Sequence, residues 1–513
     1  MIFLEKEERA GQYFRRLMGE ATLLFGLLFT FYFVLSVERF VASDEGFYLY
    51  AAKLVTSGSL PYFDFFYPQM PLLPYIYGAF LSLFGFSWFS ARALASLLTT
   101  FIAVLYFRQT EYKSSRGLAL LGLALFVLNG SLLGWFPIAK TYSLEVALSF
   151  LSYVLVSRSR TQAGRWLPVL AGIATGLTVS VRLFYVVLIP VFLVSLVFGK
   201  EGKRNSLLFL VGGFLTFLPH LAMMMADFQL YYFNNFGFHQ LRTFRPPEVD
   251  AQAKWNIVKM LLGIKADSRV DGLQSAIVLY SVPIYGLVCL FRRRFPELSF
   301  WIALVLSITY LFPTPLHAQY YSTVMPFGLV SLILLVSELS SIMRTPLVRR
   351  FAAVIGVLLL VVYVWPFRES IERYTQTGAG VKNIDPDTKE LFERPNVEAV
   401  SAAIDQETSP GEKIVVQWPG YLFQSHAEAY PGLENQFWIR VGRKLSAEEL
   451  SRYHLFRDED IVRVLHDPEL KLVVVADTRL QGFIGKRAKK ILEDSGFQST
   501  REIAGVRFYR KVS

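Results

Sequence analysis

The sequence predicts a polytopic α-helical membrane protein that ends in a small α/β domain, and three observations support this. The 513 residues are 53% hydrophobic and only 18% charged, whereas soluble domains carry about 25% charged residues. Apolar runs of the length that a bilayer requires, roughly 17–25 residues, recur between Leu23 and Pro366. Residues 1–365 contain 30 basic and 18 acidic residues, whereas residues 366–513 contain 22 basic and 23 acidic residues.

We place eleven membrane spans, near residues 21–40, 91–107, 117–135, 141–157, 166–181, 183–198, 206–226, 273–290, 298–313, 319–337 and 350–366. The apolar stretch 71–84 is short and carries Pro71 and Pro74 at its head, which favours a juxtamembrane helix over a crossing. With the N-terminus in the cytoplasm, every inner segment then holds at least three Lys or Arg residues, as the positive-inside rule requires.

This topology divides the chain into a membrane module, residues 1–369, and an extracytoplasmic domain, residues 370–513. The first loop, 41–90, and the segment 227–272 face the same side as that domain. Strands are predicted in PGEKIVVQWPG, LKLVVVADT and VRFYRKV, and helices in VEAVSAAIDQE, SAEELSRYHLF and GKRAKKILEDSGF, which indicates an α/β lid or scaffold. The near-neutral C-terminal part argues against a nucleic-acid partner, and the lone Cys289 excludes an intrachain disulfide.

Two adjacent acids, Asp44 and Glu45, follow the first span directly. On a helix their side chains would point about 100° apart, so they would take different roles. A carboxylate at this place can accept a proton from an acceptor hydroxyl or amine. Alternatively, both acids cap the N-terminus of the helix GFYLYAAKLVTSG, and the two roles are compatible.

Isolated cations form a second group of candidates, at the outer ends of spans: Arg92, Lys140 and Arg182. Topology disfavours Lys and Arg there, and a docked lipid-linked phosphate would need such cations. The alternative is that they extend to the lipid headgroups. Glu145, one turn past Lys140, is either a second active-site acid or the partner of that lysine.

Neutral polar and aromatic residues complete the candidate site. His317 and Tyr320, in PTPLHAQYYSTVMP, offer neutral donors to a phosphate, or else they contact headgroups. His239, Arg242 and Arg245, in GFHQLRTFRPP, are similar in kind. Tyrosines of the first loop either pack against a sugar or acceptor or anchor the protein in the headgroup layer; they are Tyr48, Tyr62 and Tyr67.

The front of the chain resembles the GT-C glycosyltransferases. The Asp-Glu pair, then YLYAAKLVTSGSLPYFDFFYPQMPLLPYIYGAFLSLFG and a following arginine, is similar to the branch with protein O-mannosyltransferases and the lipid A aminoarabinose transferase. The similarity is tight over 38–107, looser over AKTYSLE and GIATGLTVSVRLFYVVLIP, and architectural elsewhere.

The resemblance implies a GT-C-like enzyme of a prokaryotic plasma (inner) membrane that transfers a sugar with inversion. The donor would be a polyprenyl-phosphate sugar of undecaprenyl or dolichyl type, and the acceptor a lipid, glycan or protein outside the cytoplasm. Asp44 would be the general base with Glu45 as companion acid, and Glu145 a second acid where relatives usually have Asp. Arg182 would lie near the carrier phosphate, helped by Arg92, Lys140, His317 and Tyr320.

We expect no cofactor and no metal, because acidic ligands beyond these three are scarce, although some members of this superfamily use a divalent ion. Two other classes remain as alternatives: a lipid-linked-glycan flippase or transporter, and a noncatalytic envelope-assembly protein. A transporter usually has polar residues at mid-membrane depth and internal repeats. The spans are nearly free of mid-depth charge, and the sequence shows no repeat.

Overall fold

The computed structural model describes residues 2–162, 164–242, 246–266, 271–343, 345–381, 384, 387–485 and 487–512. Within these ranges the chain before residue 378 is helical, with 18 α-helices. They are α1 (Ile2–Glu38), α2 (Ser43–Thr56), α3 (Leu72–Phe84), α4 (Trp88–Lys113), α5 (Arg116–Val127), α6 (Gly130–Trp135), α7 (Thr141–Ser159), α8 (Trp166–Val181), α9 (Leu188–Val197), α10 (Gly202–Ala226), α11 (Phe228–Tyr232), α12 (Phe238–Leu241), α13 (Pro247–Leu261), α14 (Gly272–Phe291), α15 (Leu298–Thr309), α16 (Met325–Ile342), α17 (Pro346–Val364) and α18 (Phe367–Glu372).

Six helical segments of the described chain are long and apolar enough to cross a membrane: Gly19–Glu38, Trp88–Lys113, Gly202–Ala226, Gly272–Phe291, Met325–Ile342 and Pro346–Thr377. The other predicted spans coincide with helices that are shorter or less apolar. Asn129 interrupts the predicted span 117–135, because its side chain accepts a hydrogen bond from Leu132 N (3.0 Å) and starts α6. The polytopic helical class is therefore confirmed, while the count of eleven spans remains a prediction.

Helix α2, which carries the Asp44-Glu45 motif, packs against α3. Their close approach depends on Gly78, where a Cβ would lie 2.9 Å from Thr56 Cγ2 and 3.0 Å from the carbonyl oxygen of Ala52. The 13-residue α3 lies where the sequence predicts a juxtamembrane helix. Packing against α3 therefore sets the axis of α2.

The C-terminal part forms a five-stranded sheet with helices, which confirms the predicted small α/β domain. Its strands are β1 (Lys413–Val416), β2 (Glu428–Ala429), β3 (Leu472–Ala476), β4 (Phe497–Ile503) and β5 (Val506–Lys511), in the order β2-β1-β3-β5-β4. The strand β1 runs parallel to β2 and β3, whereas β5 runs antiparallel to β3 and β4. The helices are α19 (Arg394–Glu407), α20 (Ala447–Arg452), α21 (Asp458–Leu465), α22 (Asp477–Ile484) and α23 (Ala488–Asp494).

Strands β2 and β4 are not predicted by the sequence, and the last helix is shorter than predicted. The predicted helix GKRAKKILEDSGF ends at Asp494, and its last residue, Phe497, already begins β4. The centre of β4 is polar and exposed, so it lacks the apolar alternation that identifies a half-buried strand. The predicted domain boundary, between residues 369 and 370, falls within α18.

The C-terminal domain binds along the whole length of α2. Lys53 Nζ, in the last turn, donates to the carbonyl oxygens of Leu422 (3.0 Å) and Ser425 (2.5 Å). In the middle of the helix, Ala429 N donates to Tyr50 Oη (2.8 Å). Near its start, the indole of Trp418 packs directly on Gly46. The helix α2 is thus shared between the membrane module and the C-terminal domain.

We expect Gly46→Ala to loosen this docking, because a Cβ at Gly46 would lie 2.5 Å from the Trp418 ring. Overpacking of this kind costs roughly 1–3 kcal/mol. Thermal unfolding in detergent should show a lower melting temperature, and limited proteolysis should release the C-terminal domain sooner.

The matched control is Gly26→Ala in α1, where a Cβ would meet nothing within 4 Å. Since alanine favours a helix by roughly 1 kcal/mol over glycine, this control should keep or raise the melting temperature. Equal melting curves for the two variants would contradict the close packing of Trp418 on α2.

Candidate active site

Two adjoining cavities lie beside the first turn of α2. The smaller, here called the Asp44 pocket, is lined by Asp44, Phe47, Tyr48, Gln69, Lys140, Thr141, Tyr142, Arg182, Arg242, His317, Gln319, Tyr320 and Phe437. The larger cavity has a volume of about 810 Å³ and shares Gln69, Arg182, Arg242 and Tyr320 with that pocket. These four residues therefore form a common wall between the two spaces.

The lining of the Asp44 pocket is electropositive. It contains three cations, Lys140, Arg182 and Arg242, but one carboxylate, that of Asp44. Asp44 Oδ2 accepts a hydrogen bond from Lys140 Nζ at 2.7 Å, and the Asp44 side chain is 23% exposed. The pocket thus combines an accessible carboxylate with a surplus of positive charge, which suits an anionic ligand.

Glu45 lies in a different environment from its neighbour Asp44, since its side chain is fully buried. Its Oε1 accepts from Ala42 N (2.8 Å) and Arg92 Nη2 (2.9 Å). Its Oε2 accepts from Arg92 Nε (3.2 Å) and Ala139 N (3.0 Å). These four hydrogen bonds use the acceptor capacity of the carboxyl group on both oxygens, so Glu45 has a structural role beneath the pocket.

Arg92 is also fully buried, and its guanidinium donates further hydrogen bonds to the backbone at the end of α1. Its guanidinium donates to the carbonyl oxygens of Ser36, Arg39 (3.0 Å) and Phe40 (3.2 Å). The described residues that line the two cavities do not include Glu45 or Arg92. The structure therefore places this pair where it joins α1, α2 and α4 rather than where it meets a ligand.

Glu145 and Arg182 form a second buried pair, with Arg182 Nη1 at 3.1 Å from Glu145 Oε1. The guanidinium also lies over the ring of Tyr320, 4.5 Å from its centroid, and Tyr142 and Tyr310 flank it. The sequence suggested either a second active-site acid or the partner of Lys140, whereas the structure pairs Glu145 with Arg182 and Lys140 with Asp44. Arg182 faces both cavities, whereas Glu145 lies behind it.

The predicted tyrosines separate into one that faces the pocket and two that shape the loop. Tyr48 lines the pocket, and burial together with the Asp44 carboxylate raises its pKa well above the usual value, so its phenol stays protonated. Tyr62 Oη accepts a hydrogen bond from Asn235 Nδ2 (3.1 Å), and Tyr67 N donates to Asn234 Oδ1 (3.1 Å). Tyr62 and Tyr67 therefore attach the loop after α2 to the segment after α11.

Most of the remaining predicted residues line one or both of the two cavities. His317 and Tyr320 line the pocket, and their rings meet edge to face. His239 lines the larger cavity, where burial and the charge of Arg242 lower its pKa to about 3, so it is neutral at physiological pH. Arg242 belongs to the common wall, and Arg245 lies outside the described residues.

The pocket lining also includes residues that were not predicted, among them Phe47, Gln69, Thr141, Tyr142 and Phe437. Gln69 lies within the quoted motif, and Thr141 and Tyr142 directly follow Lys140, so their positions in the sequence were a usable signal. Phe437 belongs to the C-terminal domain, and its ring meets that of Phe47 at 5.1 Å. No local pattern in the sequence connects Phe437 to the site.

Each of the three predicted acids pairs with a cation in the structure: Asp44 with Lys140, Glu45 with Arg92, and Glu145 with Arg182. Among the described residues, no three His, Cys, Asp or Glu side chains form a group that could hold a metal ion. Metal independence of the protein remains a prediction.

Glu45→Gln should destabilise the fold strongly, because all four groups that bind the carboxylate are donors. A glutamine amide would direct its NH₂ group at N–H groups and leave Arg92 buried without a counter-charge. Breaking a buried ion pair costs about 3–5 kcal/mol, so the yield of folded protein and the melting temperature should both fall.

The control is Glu20→Gln, which removes the same charge from an exposed pair with Arg116, whose side chains are 39% and 57% exposed. An exposed pair contributes about 1 kcal/mol or less, so this variant should unfold like the wild type. A wild-type melting temperature for Glu45→Gln would show that the pair does not hold the start of α2.

Comparison with known proteins identifies the fold. No family model and no curated protein matches the chain. ArnT from Cupriavidus metallidurans bound to undecaprenyl phosphate matches with a TM-score of 0.65 at 12% identity, over 96% of this chain and 98% of that one. The oligosaccharyltransferase of Archaeoglobus fulgidus, in complex with zinc and sulfate, matches with a TM-score of 0.55 at 13% identity, over 94% and 73%.

A third structure is AglB from Archaeoglobus fulgidus in complex with an inhibitory peptide and a dolichol-phosphate, with a TM-score of 0.52 at 13% identity, over 95% of this chain and 74% of that one. These proteins are GT-C glycosyltransferases. The chain therefore has the GT-C fold, as its resemblance to that superfamily predicts.

Proposed function

We propose that the protein is an inverting glycosyltransferase that moves a sugar from a polyprenyl-phosphate donor to an acceptor, with Asp44 as general base. The observation that carries the proposal is the Asp44 pocket itself. One accessible carboxylate lines a space whose wall towards the larger cavity holds Arg182 and Arg242. A base and these cations around one space suit a sugar donor that loses its phosphate group as the nucleophile attacks.

The donor phosphate would lie at the common wall. Arg182 and Arg242 supply positive charge there and Tyr320 a hydroxyl group, which suits the oxygens of a phosphodiester. Arg242 thus joins the phosphate ligands instead of the acceptor pocket that the sequence suggested. The polyprenyl chain would extend along the apolar rings of the larger cavity, from Phe184, Phe236 and Phe312. The undecaprenyl phosphate on ArnT and the dolichol-phosphate on AglB support a carrier of this class.

In the proposed reaction, the acceptor hydroxyl or amine gives its proton to the Asp44 carboxylate as its oxygen or nitrogen attacks the anomeric carbon. The bond from that carbon to the phosphate oxygen breaks on the opposite face, and its electron pair stays on the phosphate. Arg182 and Arg242 stabilise the negative charge that develops on this leaving group. Attack from the face opposite the leaving group inverts the anomeric configuration.

Lys140 would direct the Asp44 carboxylate into the pocket through the 2.7 Å ion pair. Glu145 would orient Arg182, and the Glu45–Arg92 pair would hold the start of α2, so these three residues act through their neighbours. Tyr48 and His317 would contact the sugar or the acceptor. The predicted topology puts the pocket and residues 370–513 on the extracytoplasmic side of the plasma membrane, where lipid, glycan and protein acceptors are available.

Asp44→Asn should abolish transfer while leaving donor binding intact. Loss of a general base lowers the rate by about 10²–10⁴-fold, and asparagine keeps the size of the side chain. The assay incubates the protein in liposomes with a panel of radiolabelled polyprenyl-phosphate sugars and a membrane extract as acceptor.

Asp64→Asn is the control, since Asp64 lies in the same loop and its Oδ2 accepts a hydrogen bond from Leu60 N that asparagine can also accept. It should transfer at the wild-type rate. If neither the wild type nor Asp44→Asn labelled an acceptor, yet both bound donor equally, a flippase or a noncatalytic envelope-assembly protein would be the better description.

Arg242→Gln should weaken the binding of polyprenyl phosphate by about 10–100-fold, since a hydrogen bond to a charged group contributes roughly 1.5–3 kcal/mol. Arg242 donates otherwise to the carbonyl oxygen of Thr314 (3.3 Å), so its loss leaves no buried anion behind. Equilibrium binding of a fluorescent polyprenyl phosphate in detergent measures the effect.

Lys254→Gln tests the position of the phosphate, because Lys254 lines the larger cavity but not the common wall. This variant also loses one positive charge and should bind the lipid nearly as well as the wild type. Equal losses of affinity in both variants would mean that overall charge, not the common wall, retains the phosphate.

A further inference from the structure

The carbonyl group of Ser43 receives two side-chain donors from the C-terminal domain. Trp418 Nε1 donates to this oxygen at 2.7 Å, and Gln436 Nε2 donates to it at 3.3 Å. Ser43 and Asp44 share one peptide unit, because the Ser43 carbonyl carbon is bonded to the Asp44 nitrogen. Two residues that lie more than 370 positions away in the sequence therefore hold the peptide that carries Asp44.

The first turn of α2 needs such support. The first N–H groups of a helix have no partners within it, and helix ends fray. Here the N-cap residue is Ala42, which offers no side-chain acceptor to the first turn. Glu45 accepts from Ala42 N but points away from the pocket. The direction of Asp44 is therefore determined by the peptide before it and by Lys140 in front of it.

The same segment of the C-terminal domain also packs against the first turns of α2. The Trp418 indole packs on Gly46, and Phe437, next to Gln436, meets Phe47 at 5.1 Å and lines the Asp44 pocket. Both contacts lie within one turn of Asp44. Movement of the segment 418–437 would thus move the Ser43 carbonyl and one wall of the pocket together.

We infer that Trp418 and Gln436 are positioning residues for Asp44, so that the C-terminal domain completes the active site rather than only covering it. This inference rests on the glycosyl transfer proposed above. A general base must lie within hydrogen-bond reach of the proton it accepts, and a misplacement of about 1 Å can cost about 10²-fold in rate. The two donors keep the 43–44 peptide, and with it the Asp44 carboxylate, in that geometry.

The test compares Trp418→Phe, Gln436→Met and the double variant with Trp88→Phe. Phenylalanine at 418 loses the N–H group but keeps an aromatic ring, and methionine at 436 keeps the length of the side chain. Trp88 is the matched control, since it stacks on Trp418 with centroids 6.4 Å apart and its indole N–H has no partner among the described residues. The double variant should lower kcat at least 10-fold with an unchanged donor Kd, and Trp88→Phe should leave kcat unchanged.

The effect should also depend on Asp44. In an Asp44→Asn background, the double variant should cause no further loss of the residual transfer, because no base remains to be positioned. A purely structural defect would lower activity by the same factor in both backgrounds, and that result would overturn the inference. Equal losses in kcat for Trp418→Phe and Trp88→Phe would overturn it as well.

Hydrogen–deuterium exchange over residues 41–50 supplies a readout that does not need transfer. Exchange should rise in the double variant and stay at the wild-type level in Trp88→Phe. If the wild type transferred no sugar from any donor, the proposed function would fail, while this measurement would still decide whether Trp418 and Gln436 hold the Asp44 segment. Unchanged exchange in the double variant would show that they do not.

Discussion

The buried ion pair between Glu45 and Arg92 is the interaction on which the rest of the site depends. Removing two charges from water is costly, and only good geometry with further hydrogen bonds offsets that cost. Here the carboxylate accepts four hydrogen bonds, and the guanidinium also binds three carbonyl groups at the end of α1. Because Glu45 also binds Ala139 N, the next residue, Lys140, lies beside Asp44.

The three acids differ in burial and in the cation that each of them contacts. Glu45 and Glu145 are fully buried against arginines, whereas Asp44 is partly exposed and meets a lysine. Each buried acid holds its partner arginine in one orientation through the hydrogen bonds between them. The result is a pocket with a fixed carboxylate and a cationic wall, which would require little rearrangement to bind an anionic ligand.

The helix α2 couples the two parts of the chain. One side of it packs on α3 through Gly78, and Gly46 lets the Trp418 ring approach its backbone from the C-terminal domain. Lys53 and Tyr50 extend this contact over the rest of the helix. A substrate that enters the Asp44 pocket therefore meets side chains of both parts, including Phe437.

The sequence by itself determined the helical membrane class, the short helix α3, the α/β character of the C-terminal part and the acidic motif, because hydropathy, periodicity and adjacent residues are local properties of the chain. The tertiary structure decided which of the neighbours Asp44 and Glu45 faces the pocket, and that Arg92 binds Glu45 while Arg182 binds Glu145. It also brought Trp418 and Phe437 to α2 and revealed the polar strand β4. These features depend on contacts between residues far apart in the sequence, and no local pattern encodes which distant side chain a given residue will meet.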